Sequence, residues 1–279
     1  MSVVVVVKVS EGLVLAADSA ASLQGKLQFR GEEFDGIIQT YVNARKVHQI
    51  GAFPLALATW GTAFIGQRTI ESIVREWEHA KGWTDAESHG EQHNGDFNVS
   101  DCANSFRKFL TEAYATGFAD LEADKRPMLG VVVAGYSSKE FFPEIWRFVL
   151  PHDEEIHNQR PDVEGKPDFG ASWFGRTDAI VRFHFGRDDA LPSILEEKFG
   201  VPSADIRQAL APLEYPMTFQ AMPLQDAIEY AHFMVDLTIG RYHHVVGPEL
   251  CAGQVDVAAI TPQSLKWVAR KEHGLRLEA

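Results

Sequence analysis

Residues 3–7 of this chain are five valines in a row. β-Branched side chains are stiff at χ1 and crowd a helix, but they pack well on a pleated strand. Successive strand residues point to opposite faces, so an unbroken apolar run needs apolar cover on both sides. Ser10-Glu11-Gly12 supplies a turn, residues 13–17 form a second apolar run, and Asp18-Ser19 stops it abruptly. The chain is thus committed to a hairpin that begins almost at its first residue and is buried from above and below. Free termini normally fray, so this one must be held inside a sheet.

Ser2 stands directly ahead of that run. Its small side chain suits removal of Met1, which would leave a hydroxyl and a free α-amine on one residue. An α-amine titrates near about 7.7–8, low enough to act as a neutral base where a lysine stays protonated. A hydroxyl activated by its own amine is a known nucleophile design. A serine at position 2 is common, so Ser2 acquires meaning only from the residues that follow.

Those residues alternate between strand and helix signals. Residues 20–43, broken by Gly25, Gly31 and Gly36, read as a long hairpin or loop. Short strands at 45–50 and 54–59 lead into Trp60-Gly61-Thr62. Apolar spacing predicts a helix over 62–83, a polar loop to Phe97, and a second helix capped by Ser100 and reaching about Asp124. Strands follow at 127–137, 145–150 and 169–174, the last ending at Gly175. Thr177 opens a short helix. Four prolines between 186 and 221 mark an insertion of short helices and turns. A long helix over 223–241 and two strands at 255–260 and 265–269 close the chain. Strands at both ends with helix pairs between them predict an α+β sheet sandwich covered by helices, one domain over 1–279. No glycine-rich phosphate loop joins a strand to a helix.

Composition narrows the function. A net charge of −13 argues against nucleic acid and anionic membrane surfaces as partners. No apolar run approaches the roughly 18–20 residues of a bilayer span, and the N-terminus lacks a signal-peptide pattern. Two cysteines, Cys102 and Cys251, fit a reducing compartment, so a cytoplasmic location is expected. Neither a cofactor nor a metal is expected. His243 and His244 are adjacent and would point apart, and His89 and His93 lie in a polar loop. Cys251 could act as a nucleophile only with a depressed pKa and a paired histidine.

Ser2, Gly12, Ala16-Ala17-Asp18-Ser19, Lys46-Val47 and Gly61 together resemble the proteasome β-subunit family of N-terminal nucleophile (Ntn) hydrolases. With Met1 removed, Ser2 falls at the nucleophile position with no gap before Gly12 or Asp18. The similarity covers residues 2 to about 80 and returns at Phe174-Gly175-Arg176-Thr177 and Ala252-Gly253-Gln254-Val255-Asp256-Val257. It implies a four-layer α-β-β-α sandwich and hydrolysis of peptide or other amide bonds. Ser2 would be the nucleophile, Lys46 a nearby cation, Asp18 its anchor, and the Gly61 backbone N–H an oxyanion donor. Ser19, Gly175, Thr177, His243 and Glu249 are candidates for supporting roles.

The resemblance has departures. Serine replaces the usual threonine. The hairpin before Lys46 is longer than is common. Arg176 and Thr177 stand where a supporting serine is expected, and His243, His244 or Glu249 where a supporting aspartate is. The resemblance further implies a peptide or protein substrate, a homo-oligomeric ring or stack, and any ATPase as a separate partner. Two other functions fit the same residues: a catalytically inactive structural or binding subunit, and an amidase for small molecules. Trp60 and Trp173 flank the expected site, where each has two roles open to it, shaping a substrate pocket or, the simpler of the two, packing in the core.

Overall fold

The five valines are covered on both faces in the computed structural model, which describes residues 2–29, 31–83 and 96–271. Strand β1 (Val3–Val9) pairs antiparallel with β2 (Gly12–Ala17), Val4 opposite Ala17 and Val9 opposite Gly12. On the other side of β1 lies β12 (Gly170–Gly175); beyond β2 come β13 (Asp256–Thr261) and β14 (Ser264–Ala269). A second sheet runs in the order β11 (His157–Asn158), β10 (Glu144–Leu150), β9 (Leu129–Gly135), β6 (Leu55–Gly61), β5 (Val47–Gln49).

The period of two decides which valine goes where. Val4, Val6, Leu13 and Leu15 point between the sheets and meet Ala56, Ala58, Val132 and Ala134. Val3, Val5, Val7, Val14 and Ala16 point outward, against Ala227, Ala231, Met234 and Val235 of helix α6 (Leu224–His244). The outer face of the second sheet buries Leu55, Leu57, Val131 and Val133 under Trp77 of α1 (Ile70–Ala80) and Phe106 and Leu110 of α2 (Val99–Gly117). The result is the expected α+β, four-layer α-β-β-α sandwich. Each fully buried valine contributes about 1.5–3 kcal/mol of transfer free energy. Five in sequence therefore hold β1, and Ser2 at its head, firmly in the sheet.

Boundaries depart from expectation in two places. The first helix begins at Ile70, not Thr62, because a hairpin of β7 (Phe64–Ile65) and β8 (Arg68–Thr69) intervenes. Its turn places Gly66 at φ 58°, a left-handed conformation suited to glycine. The helix starts where the Thr69 hydroxyl caps Ser72 N–H. The second helix is capped by Asn98 rather than Ser100, its Oδ1 accepting from Ser100 and Asp101 N–H at 2.8 and 3.2 Å, and it stops at Gly117.

Residues 20–43 form a two-stranded ribbon, β3 (Ala21–Phe29) with β4 (Glu32–Tyr41). The proline-rich stretch after α3 (Asp178–Phe185) contains α4 (Leu191–Phe199), α5 (Ser203–Leu210) and two 3-10 turns. Most of the polar loop at 84–97, with His89 and His93, lies outside the described residues. Among the described residues no helix is long and apolar enough to cross a membrane.

Candidate active site

The site is built where β2 stops. Asp18 is fully buried and its carboxylate collects four donors. Oδ1 accepts from Val3 N–H at 2.9 Å and from the Lys46 ammonium at 2.6 Å. Oδ2 accepts from Ala20 N–H at 3.0 Å and Ala252 N–H at 3.2 Å. A charge out of water is tolerable only when satisfied in this way. One carboxylate thus ties the residue after Ser2, the start of the β3 ribbon, the approach to β13 and the head of β5.

Ser2 and Lys46, each 4% exposed, line one cavity of about 80 Å³. Its walls are otherwise small or apolar, with Ala21, Ala44, Trp60, Ala63 and Ile70, and the Arg45–Glu71 ion pair also reaches it. Two glycines fix its backbone. Gly175, at φ 83°, lets β12 close on Ser2: a Cβ there would lie 2.0 Å from the Ser2 carbonyl oxygen, which accepts Arg176 N–H at 2.7 Å. Gly61, at φ 97°, turns at the end of β6, where a Cβ would lie 2.3 Å from Met128 O.

Strand alternation then orients the Gly61 N–H. Thr62 N–H bonds to Met128 O at 2.9 Å on the β9 side, and Thr59 N–H bonds to Lys46 O at 3.0 Å on the β5 side. Odd residues of β6 face β5. The Gly61 N–H therefore lies on the β5 side of β6, beyond the last β5 contact, between Trp60 and Thr62, which line the cavity. Gly61 stands well ahead of α1, which begins at Ile70, and not at a helix entry as the sequence pattern suggests.

The remaining sequence candidates divide. Ser19 is fully buried behind the site, its hydroxyl bonded to Gln254 O and to the Lys271 ammonium. Thr177 caps α3, its carbonyl accepting from Val181 N–H at 2.8 Å. His243 and Glu249 are not brought to the cavity: they pair with each other at 2.7 Å on the exposed end of α6. Trp60 lines the cavity and stacks on Phe174, whereas Trp173 faces away and stacks on His184. Burial pushes the Cys251 thiol up to about 12, the reverse of an activated nucleophile. Among the described residues no cluster of three or more His, Cys, Asp or Glu is gathered for a metal.

The sequence pattern missed Asp256 and Lys271, a second buried pair behind Ser19 at 2.8 Å. A charge between Val255 and Val257 in a strand was the available signal for Asp256. Nothing local marks Lys271.

No family model matches the sequence, and no curated protein matches it at a significant level. Solved structures do share its fold. Anbu (ancestral beta-subunit) from Yersinia bercovieri aligns with 95% of this chain and 86% of its own, at 13% identity and a TM-score of 0.51. Anbu from Hyphomicrobium sp. strain MC1 aligns over 96% and 86%, at 11% identity and TM-score 0.54. The helical assembly of the Anbu complex from Pseudomonas aeruginosa aligns over 97% and 88%, at 13% identity and TM-score 0.53.

These structures correct the family drawn from the motifs. The neighbours are Anbu proteins, ancestral beta-subunits and proteasome-like relatives, where the motifs pointed to proteasome β-subunits. Three of the motif residues build architecture in this chain: Gly12 opens β2, Asp18 joins strand segments and Gly61 ends β6. At this identity the likeness shows the fold alone, a proteasome-like Ntn-hydrolase fold.

Proposed function

We propose that this chain is an N-terminal-nucleophile hydrolase that cleaves peptide or other amide bonds through Ser2. The observation that carries the reading is Asp18 Oδ1, which accepts Val3 N–H and the Lys46 ammonium together. That one atom seats a lysine cation beside the head of β1, on the cavity that Ser2 lines. Met1 lies outside the described residues, and its removal is part of the proposal.

The chemistry follows from the placement. Ser2 Oγ attacks the amide carbonyl while its proton passes to the Ser2 α-amine, directly or through a water. The Lys46 ammonium favours the oxygen as it gains negative charge. The Gly61 N–H meets the carbonyl oxygen as it becomes an oxyanion, a contact worth about 2.7–4 kcal/mol in comparable sites. The C–N bond breaks, the amine leaves with the proton held by the α-amine, and water cleaves the Ser2 ester in the second half-reaction. Small walls of alanine, Phe64 and Ile70 suit a small apolar group next to the scissile bond.

We read the chain, residues 1–279, as one domain acting in a homo-oligomer. The Pseudomonas aeruginosa relative is a helical assembly of the Anbu complex, which supports assembly here by analogy. An ATPase, if one feeds the site, is a separate protein. The exposed His243–Glu249 pair favours the rival reading, an inactive subunit, because neither residue supports the cavity.

Two measurements decide between them. Periodate oxidises an N-terminal serine to an aldehyde only when its amine is free, so mass spectrometry after periodate reports Met1 removal. A β-lactone probe then labels Ser2. Labelling of the wild type and not of Ser2→Ala sustains the hydrolase; a periodate-resistant, unlabelled chain leaves the inactive subunit.

A further inference from the structure

Behind the Asp18–Lys46 pair lies a second lysine that the proposed chemistry does not use. Lys271 is 6% exposed and follows β14, the edge strand of the first sheet. Its ammonium donates to the Ser19 hydroxyl and to Ala44 O at 2.8 Å, and pairs with Asp256 Oδ2 at 2.8 Å. Its backbone N–H bonds to Asp256 Oδ1 at 2.9 Å, and its carbonyl accepts from Arg45 Nη2 at 3.3 Å.

The positions of these partners are telling. Ser19 is the residue after Asp18. Ala44 and Arg45 are the two residues before Lys46. The segments that carry the two halves of the Asp18–Lys46 pair thus meet on Lys271. They also meet on each other, through Ala44 N–H to Ser19 O at 3.0 Å. A salt contact of 2.6 Å between segments far apart in sequence holds its geometry only if the backbones behind it are fixed.

We propose that Lys271 is a positioning residue for the Ser2 site: it clamps the 18–20 and 44–46 segments so that Asp18 presents the Lys46 ammonium to the cavity. Asp256 anchors the clamp from the neighbouring strand and offsets its charge. The segment that follows β14 thereby becomes part of the site's construction, although it contributes no group to the cavity wall. A displacement near 1 Å in a catalytic array costs about 10²-fold in rate, so a loosened clamp should be visible in turnover.

The proposal rests on the hydrolase reading for its kinetic test, and on amide exchange for one that does not. Lys271→Met leaves Asp256 buried and alone and risks unfolding the chain. The working variant is therefore Lys271→Met with Asp256→Asn, and Lys271→Arg is the rescue. Turnover is expressed per Ser2 titrated by the β-lactone. The expected result is a kcat about 10–100-fold lower in the double variant, with KM within threefold of wild type and kcat within a few-fold in Lys271→Arg. In the same variant the three amides that donate to Asp18, those of Val3, Ala20 and Ala252, exchange hydrogen at least tenfold faster, while amides of β9 keep their rates. Unchanged kcat per titrated site together with unchanged exchange at those three amides overturns the proposal. If the wild type neither labels nor hydrolyses, the hydrolase reading falls and exchange alone decides: local loosening sustains the clamp, wild-type protection removes it.

Discussion

The two ends of strand β1 each bury a lysine against an aspartate, and they do it differently. At the Ser2 end, Lys46 meets Asp18 at 2.6 Å and the carboxylate has three further backbone donors. At the other end, Lys8 is 2% exposed but lies 3.5 Å from both Asp162 Oδ1 and Arg160 O, and Asp162 is half exposed. Burial outweighs Asp162 there and pulls Lys8 below the ordinary lysine range. The cavities run the opposite way: about 580 Å³ beside Lys8, Phe141 and Phe142, against about 80 Å³ beside Ser2. The smaller space has the organised charge. A candidate site here is distinguished by how completely its carboxylate is satisfied, not by volume.

The largest expected effect is at the nucleophile. Ser2→Ala should remove β-lactone labelling and lower amide hydrolysis by about 10⁴-fold or more, with the fold intact. Residual hydrolysis within tenfold of wild type would move the chemistry elsewhere and dissolve the contrast between the two ends. Next comes Lys46→Met. It strands a fully buried carboxylate, so unfolding free energy should drop by about 3–5 kcal/mol, and turnover should drop about 10²–10³-fold. Urea melts and steady-state rates check both. Stability within 1 kcal/mol of wild type would mean that Asp18 is content with its backbone donors alone.

The part of this arrangement that sequence could reveal is the part written in short range. Val3–Val9 and Gly12–Ala17 are legible because an apolar run bounded by a turn has few other uses. Asp18 stands out as a charge that ends an apolar run, whereas Lys46, beside Arg45 in a polar stretch, is marked only by the family resemblance. The helix start is not legible: Phe64 and Ile65 continue the apolar spacing of α1, and the hairpin that uses them depends on packing against Gly117, far along the chain. A Cβ on Gly117 would lie 2.4 Å from Ile65 Cγ2, a contact no local pattern announces. Lys271 is hidden for the same reason. It meets Ser19 across 252 positions of sequence, and beside Arg270 it reads as one more surface charge. Glu249 and His243 fail in the other direction: proximity in sequence to the returning motif did not bring them to the cavity.

His48 sharpens the comparison from within the organised end. It lies two residues beyond Lys46, buried, and its Nε2 finds no hydrogen-bond partner among the described residues. Burial lowers its pKa to about 4, so the folded chain keeps the imidazole neutral where it keeps Lys46 paired. The folded value lies below the unfolded one, near 6.5. The stability His48 contributes is therefore complete above about pH 6.5 and is lost as pH falls toward 4, to a total of about 3 kcal/mol. His48→Leu should remove that component, so wild type and variant diverge between pH 7 and 4.5 in urea melts. Parallel pH profiles would show that His48 is charged or solvated in the folded chain.

The smallest effect is expected at the far end of β1, and it tests the contrast most directly. Lys8→Met replaces a poorly compensated buried ammonium with an apolar side chain of similar length. Asp162, already half in water, is left solvated rather than stranded. Replacing such a charge is often neutral or favourable, so stability should stay level or rise by about 1–2 kcal/mol, while labelling of Ser2 and turnover remain at wild-type values. The sign is what matters. A loss of 3 kcal/mol or more, comparable with Lys46→Met, would show that Lys8 and Asp162 are as tightly organised in solution as Lys46 and Asp18. The larger cavity would then have an equal claim to be a built site.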